Sequence, residues 1–117
     1  MYSRTTVDEL DERDIEGIEP GLKAVGYELR PEEMRPSVWS FDEGESNNRH
    51  RHDAQEELYF VVDGRFEMDV GDETFEVGAG EFVVVDPDAW RQLTALTEST
   101  LFVVGAPNVE GDAVTEE

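Results

Sequence analysis

His50 and His52 are the only histidines in the 117-residue chain; they stand one residue apart, and a carboxylate, Glu57, lies five residues beyond His52. Residues i and i+2 of a β-strand point to the same face, so the two imidazoles project together. Glu57 has an odd offset and would face away on one continuous strand. Asp53-Ala54-Gln55 is poor strand material, so the chain can turn there and bring Glu57 back from a neighbouring strand. Two imidazoles and a carboxylate that converge with positions left open can hold Fe(II), Mn or Zn for chemistry. An HxH pair also arises by chance, as two polar residues on a surface strand among acids. Taken alone, the three residues favour the surface-strand reading.

The elements that must position these residues are short and β-like. ELYFVVDGRFEMDV and DETFEV read as strands, with turns at Asp63-Gly64 and Gly71-Asp72. GEFVVVD, WRQLTAL and TLFVVG follow at intervals of about ten residues. LKAVGYELR (22–30) and PSVWSF (36–41) read as strands separated by breaks at Pro31 and Pro36, and FDEGESNN reads as a loop. This pattern predicts an all-β antiparallel sandwich or barrel. In residues 5–16, Thr5 stands three before Asp8 and Thr6 three before Glu9. These capping-box spacings predict a short helix with Val7, Leu10 and Ile15 roughly on one side. The whole chain, 1–117, reads as one domain with an N-terminal extension (1–20) and a partly ordered acidic tail (106–117).

Composition removes several kinds of chemistry. There is no cysteine, which excludes disulfides, zinc–thiolate clusters and cysteine nucleophiles. No GxSxG occurs, and the GAG at 78–80 has no following helix or lysine, so it is a turn rather than a phosphate loop. Thirty acids face nine bases, a formal net charge of −21, and eight of the nine bases are arginine. The acids run from Asp8 to Glu117 and interrupt every strand-like segment, as a solvated outer face would. Salt screens such self-repulsion over about 3 Å at 1 M against about 10 Å at 0.1 M, so a very salty cytoplasm is the expected setting, with a merely acidic cytosolic protein as the alternative. No basic patch is visible for nucleic acid or an anionic membrane. With no apolar N-terminal run and no long apolar stretch, a cytoplasmic protein is expected.

Read in full, the stretch is Gly44-x5-His50-x-His52-x4-Glu57-x6-Gly64. It resembles the first motif of the cupin superfamily at every defined position, and ELYFVVDG resembles the strand and turn that close that motif. The second motif, Gly-x5-Pro-x-Gly-x2-His-x3-Asn, is similar in register only. Gly80 opens it, Asp86 (with Pro87 beside it) stands at the proline, Asp88 at the glycine, Arg91 at the histidine and Ala95 at the asparagine. The resemblance spans residues 44 to 95 and implies a cupin-type antiparallel β-barrel, a small jelly roll, with the short N-terminal helix outside it.

The resemblance implies that His50, His52 and Glu57 are metal ligands for Fe, Mn, Zn or Ni, with no organic cofactor indicated. It places Arg91, which cannot ligate, where the fourth ligand would be. There its guanidinium either holds a substrate carboxylate or phosphate from the mouth of the site, or pairs with Glu57 in the cation's place. Tyr59 shares the strand parity of Glu57 and either lines the pocket or packs in the core. Trp39 and Trp90 are expected to pack, and Gln92 to face away from Arg91. Two functions fit: a pocket that binds a small polar or anionic molecule, or a metal-dependent enzyme of dioxygenase or isomerase type on a small carboxylate or sugar-like substrate. The first is favoured, because no general acid or base remains once the ligands are assigned. A homodimer is also implied, paired through LKAVGYELR and PSVWSF with Val25, Tyr27, Val38 and Trp39.

Overall fold

The computed structural model describes residues 1–13 and 15–116. Ten strands form two five-stranded antiparallel sheets. The first holds β1 (Gly21–Lys23), β2 (Arg35–Phe41), β9 (Ser99–Ala106), β4 (Glu56–Asp63) and β7 (Phe82–Val85), in that order across the sheet. The second holds β10 (Ala113–Thr115), β3 (His50–His52), β8 (Arg91–Ala95), β5 (Arg65–Val70) and β6 (Glu73–Gly78). This is the expected all-β jelly roll. Alternation decides what faces inward: β4 buries Glu57, Tyr59 and Val61, and β8 buries Arg91, Leu93 and Ala95. Phe41 of β2 and Phe66 of β5 meet edge to face, with ring centroids 4.9 Å apart, and join the two sheets at the core.

The core fills one end of the sandwich. Toward the other end, the inner faces of β3 and β4 carry polar residues, and a cavity of about 960 Å³ opens there. Gly64 turns the chain from β4 into β5 with φ +90°, and a Cβ at that position would meet the Ser99 hydroxyl. Both conformation and space therefore require glycine at the end of the first motif. Gly105 of β9 is needed for space alone, because the buried Gln55 side chain lies where its Cβ would be.

Four expectations need correction. LKAVGYELR is not one strand: after Lys23 the chain enters a short helix, α1 (Val25–Leu29), which ends at Arg30 in the left-handed conformation, φ 57°. Val25, Tyr27 and Leu29 alternate as a strand would, but Val25 and Leu29 also share a helix face, so the pattern satisfies both periods. The helix expected in 5–16 shrinks to a 3₁₀ turn, Val7–Glu9, whose Glu9 N–H donates to the Thr6 hydroxyl at 3.3 Å. Asp8, Glu9, Asp11 and Glu12 repel one another at helical spacing, and Arg13 instead bridges to Leu22 of β1. The acidic tail is built into the fold, since β10 pairs along the whole of β3. PSVWSF lies inside its sheet between β1 and β9, so it offers no free edge for pairing. Among the described residues, no helix is long and apolar enough to cross a membrane.

Candidate metal site and ligand cavity

The two histidines and the glutamate come from facing sheets. β3 turns His50 and His52 inward, while Arg51 between them points out to Asp53 and the Trp90 ring. The chain then crosses over at Asp53–Gln55, as the poor strand propensity there suggests, and β4 returns Glu57 from the opposite side. The potential ligand atoms of His50, His52 and Glu57 all lie within 4.8 Å of one another. Glu57 Oε1 is 3.3 Å from His50 Nε2 and 3.4 Å from His52 Nε2.

Hydrogen bonds at the far side of each ring assign the tautomers. His50 Nδ1 lies 2.9 Å from the Asn48 carbonyl, which can only accept, so the Nδ1 proton donates to it. His52 Nδ1 lies 3.2 Å from Asp112 Oδ2 and donates to that carboxylate. In neutral rings both Nε2 atoms then carry lone pairs and face a carboxylate oxygen. His52 Nε2 is buried without a hydrogen-bond partner. Three acceptors that converge with no proton among them suit a cation, and imidazoles oriented by a carbonyl and a carboxylate are what metal ligation requires.

Asp112 is the residue that the sequence reading missed. Its carboxylate also accepts from Ala54 N–H at 2.9 Å and Gln55 N–H at 2.8 Å, so it ties the crossover to the His52 ring. Burial pushes its pKa up, but the Gln55 and Ala54 amides and His52 outweigh that and hold it below the usual value. It is 60 residues from His52 in the chain, and no local pattern marks it.

Arg91 pairs with Glu57, one of the two positions open to it. Its register partner is His50, and its side chain is 0 % exposed. Nε donates to Glu57 Oε1 at 3.2 Å and to the Tyr59 hydroxyl at 3.4 Å. Nη1 donates to the carbonyls of Asp86, Pro87 and Ala89, at 3.3, 3.0 and 2.7 Å. Nη2 is 3.2 Å from Glu57 Oε1 but lacks an aligned acceptor. The guanidinium thus sits behind Glu57 rather than at the mouth, and the cavity is lined by His50, His52, Glu57 and Tyr59 in front of it. Gln92 points the other way and donates to the Asn47 carbonyl, as its parity requires.

Tyr59 donates to Glu57 Oε1 at 2.6 Å. Burial raises its pKa well above the ordinary tyrosine value, with the Glu57 charge adding to the effect and Arg91 opposing it. Burial likewise pushes Glu57 up, but the Tyr59 hydroxyl and the neighbouring imidazoles, which donate to the carboxylate when a proton takes the cation's place on Nε2, prevail and hold the carboxyl well below its usual range. Trp39 packs against the core and lines the cavity, whereas Trp90 lies outside it under Arg51.

Comparison with known proteins agrees with this architecture. An uncharacterized protein of Streptomyces coelicolor is 40% identical over 76 residues, covering 65% of this chain and 71% of that protein. The solved structure of KdgF from Halomonas superposes with a TM-score of 0.82 at 23% identity, covering 92% of this chain and 97% of that one. Streptomyces PAC13, solved with uridine, superposes with a TM-score of 0.83 at 17% identity, covering 100% of this chain and 92% of that one. At such identities the two structures show a common fold alone. Residues 37–105, more than half of the chain, match the cupin domain, and the protein belongs to the cupin family.

Proposed function

We propose that the protein binds a divalent metal ion through His50, His52 and Glu57 and a small polar or anionic molecule in the cavity in front of them. The observation that carries the metal is the convergence of two imidazole lone pairs on the Glu57 carboxylate, with His52 Nε2 buried and unpartnered. A borderline ion such as Zn, Fe, Mn or Ni suits this nitrogen and oxygen set. When bound, such an ion supplies Lewis acidity toward an oxygen of the ligand. Tyr59 stays protonated and donates to Glu57 at the floor of the cavity, while Arg91 pairs with Glu57 and holds it in place. Metal analysis of the purified protein, followed by calorimetric titration with Mn, Ni and Zn, tests the reading. Saturable binding lost in His50→Ala and His52→Ala is expected. No binding to the wild-type protein would end it.

Binding without turnover is favoured over the alternative, a metal-dependent dioxygenase or isomerase. A proton-transfer group works best with a pKa near the working pH. Glu57 is held well below that range and Tyr59 well above it. The structural neighbour solved with uridine supports a small-molecule ligand of the polar class.

Two further parts of the proposal concern the outer surface. Thirty acids spread over the whole chain support a fold adapted to molar salt, as in a salty cytoplasm. Self-association as a homodimer is supported by the outer face of β4 and β7. Phe60 and Phe82 stack there at 4.4 Å, and Phe82 and Val84 are 65 % and 58 % exposed on an edge strand. An exposed apolar patch on an otherwise acidic molecule suits a second copy of itself, and β7 has a free edge to pair across a two-fold axis.

A further inference from the structure

We propose that the mouth of the cavity is an anion-binding site, formed by Arg13, Arg30 and Arg35 around Tyr27. It would take a small organic carboxylate or phosphate ester with an apolar body. The site rests on reading the cavity as a ligand pocket, and it does not depend on the metal.

The first support is where the cations go. With thirty acids and nine bases, carboxylate partners are in large excess. Arg49, Arg51, Arg65 and Arg91 each have one, at 3.2, 3.1, 2.6 and 3.2 Å. Among the described residues, Arg13, Arg30 and Arg35 have none, and all three line the cavity. Arg4 and Lys23 are also without carboxylates but do not line it, and Lys23 donates to the Val7 carbonyl. In a chain of charge −21, three arginines at one opening with no carboxylate partner among the described residues are a local concentration of positive charge.

The second support is how they are held. The guanidinium carbons of Arg13 and Arg30 lie 4.7 and 4.6 Å from the centre of the same Tyr27 ring. Two like charges at one ring repel, and the ring's attraction for each offsets that only in part. An anion bound beside them offsets that repulsion and matches the planar donor fork of arginine. Arg30 is also the only non-glycine residue with positive φ among those described, in a conformation that side chains disfavour. That turn ends α1 and sets Arg30 beside Tyr27.

The body of the ligand follows from the walls. Arg35, Ser37, Trp39 and Phe41 alternate along the inner face of β2, so an apolar wall runs inward from the arginine. Leu101 and Val103 of β9 continue it. Glu110 and Glu57 are acids on the lining and oppose an anion, but the three arginines outnumber them. A ligand charged at one end and apolar in the middle would fill this space, with its far end toward His50 and His52. An inorganic anion would lack the contacts with the wall.

Calorimetry and tryptophan fluorescence test the site, in the lowest KCl concentration that keeps the wild-type fold, since chloride competes. The probes are benzoate, phenyl phosphate, inorganic phosphate and the neutral benzyl alcohol. Benzoate or phenyl phosphate should bind saturably and change Trp39 emission, and whichever is tighter identifies the head group. Binding should weaken by about tenfold or more in Arg30→Gln/Arg35→Gln, less in Arg30→Lys/Arg35→Lys, and not at all in Arg49→Gln. Equal affinity in wild type and the glutamine double variant would overturn the site. So would benzyl alcohol binding as tightly as the anions, or no saturable response to any probe. Metal binding in the glutamine double variant separates the two readings. Retained metal with unchanged anion affinity sinks the arginine site alone, whereas arginine-dependent anion binding to a protein that takes no metal sinks the metal alone.

Discussion

Replacing Arg91 with methionine tests whether the guanidinium is the resident counter-charge of Glu57. The side chain is 0 % exposed and makes five hydrogen bonds, two to Glu57 and Tyr59 and three to carbonyls of Asp86, Pro87 and Ala89. Methionine fills most of the volume but leaves a buried carboxylate without its cation. Breaking a buried pair in this way costs about 3–5 kcal/mol. Tyr59 still donates to Glu57, which argues for the lower end. The cost should shrink in Arg91→Met/Glu57→Gln, where no charge is left unpaired, so a double-mutant cycle isolates the pair. Metal should rescue the single variant, because an ion that binds only the folded state adds about 2.7 kcal/mol at 100 times its Kd. Urea unfolding at fixed KCl, with and without Zn, reads all of these quantities. A loss below about 1 kcal/mol for Arg91→Met, no more than an ordinary hydrogen bond is worth, would refute the assignment.

Four other outcomes follow from the same geometry. Arg91→His removes a positive charge and adds an imidazole beside His50, so calorimetric affinity for Mn, Ni or Zn should rise by roughly tenfold or more, with Glu57→Ala abolishing binding in both backgrounds; equal affinity in wild type and Arg91→His would contradict it. Because the folded pKa of Glu57 is depressed from an ordinary 4.5, its contribution to stability is complete above that value and fades as pH falls through the folded pKa; acid titration of unfolding should therefore be flatter in Glu57→Gln below pH about 4.5, and parallel curves would rule the effect out. Circular dichroism in a KCl series should show a fold that strengthens toward molar salt, and an unfolding transition unchanged between low salt and 2 M KCl would remove the halophile reading. Light scattering in high salt should give a dimer for the wild type and a monomer near 13.2 kDa for Phe82→Lys; a wild-type monomer at every concentration would dismiss the β4–β7 interface.

The parts of the fold and site that are legible in the sequence are those fixed by local periodicity. His50 and His52 share a face because they are two apart on a strand, and Glu57 reaches them because Asp53-Ala54-Gln55 breaks that strand. Arg91 is legible as an occupant of the site from the register of the second motif, and the β3–β8 pairing of His50 with Arg91 has that register. Its direction is not legible. A mouth-facing arginine and one turned behind Glu57 have the same strand parity, and the choice depends on the loop carbonyls of Asp86, Pro87 and Ala89 that take Nη1. The segment 25–29 misleads because its apolar residues fit both periods.

Asp112 shows a different limit. In the sequence it is one of thirty acids, in a stretch whose composition reads as a loose tail. Its role comes from strand pairing sixty residues away, since β10 lies antiparallel to β3 with Ala113 opposite His52. That register puts the residue just before β10 at the end of β3, where the amides of Ala54 and Gln55 and the ring of His52 all need an acceptor. Position makes a carboxylate there the acceptor for all three, while the composition around it only hides it. The geometry of the candidate site thus depends on the last ten residues of the described chain as much as on the first motif, because without them His52 loses the bond that fixes its tautomer and orientation.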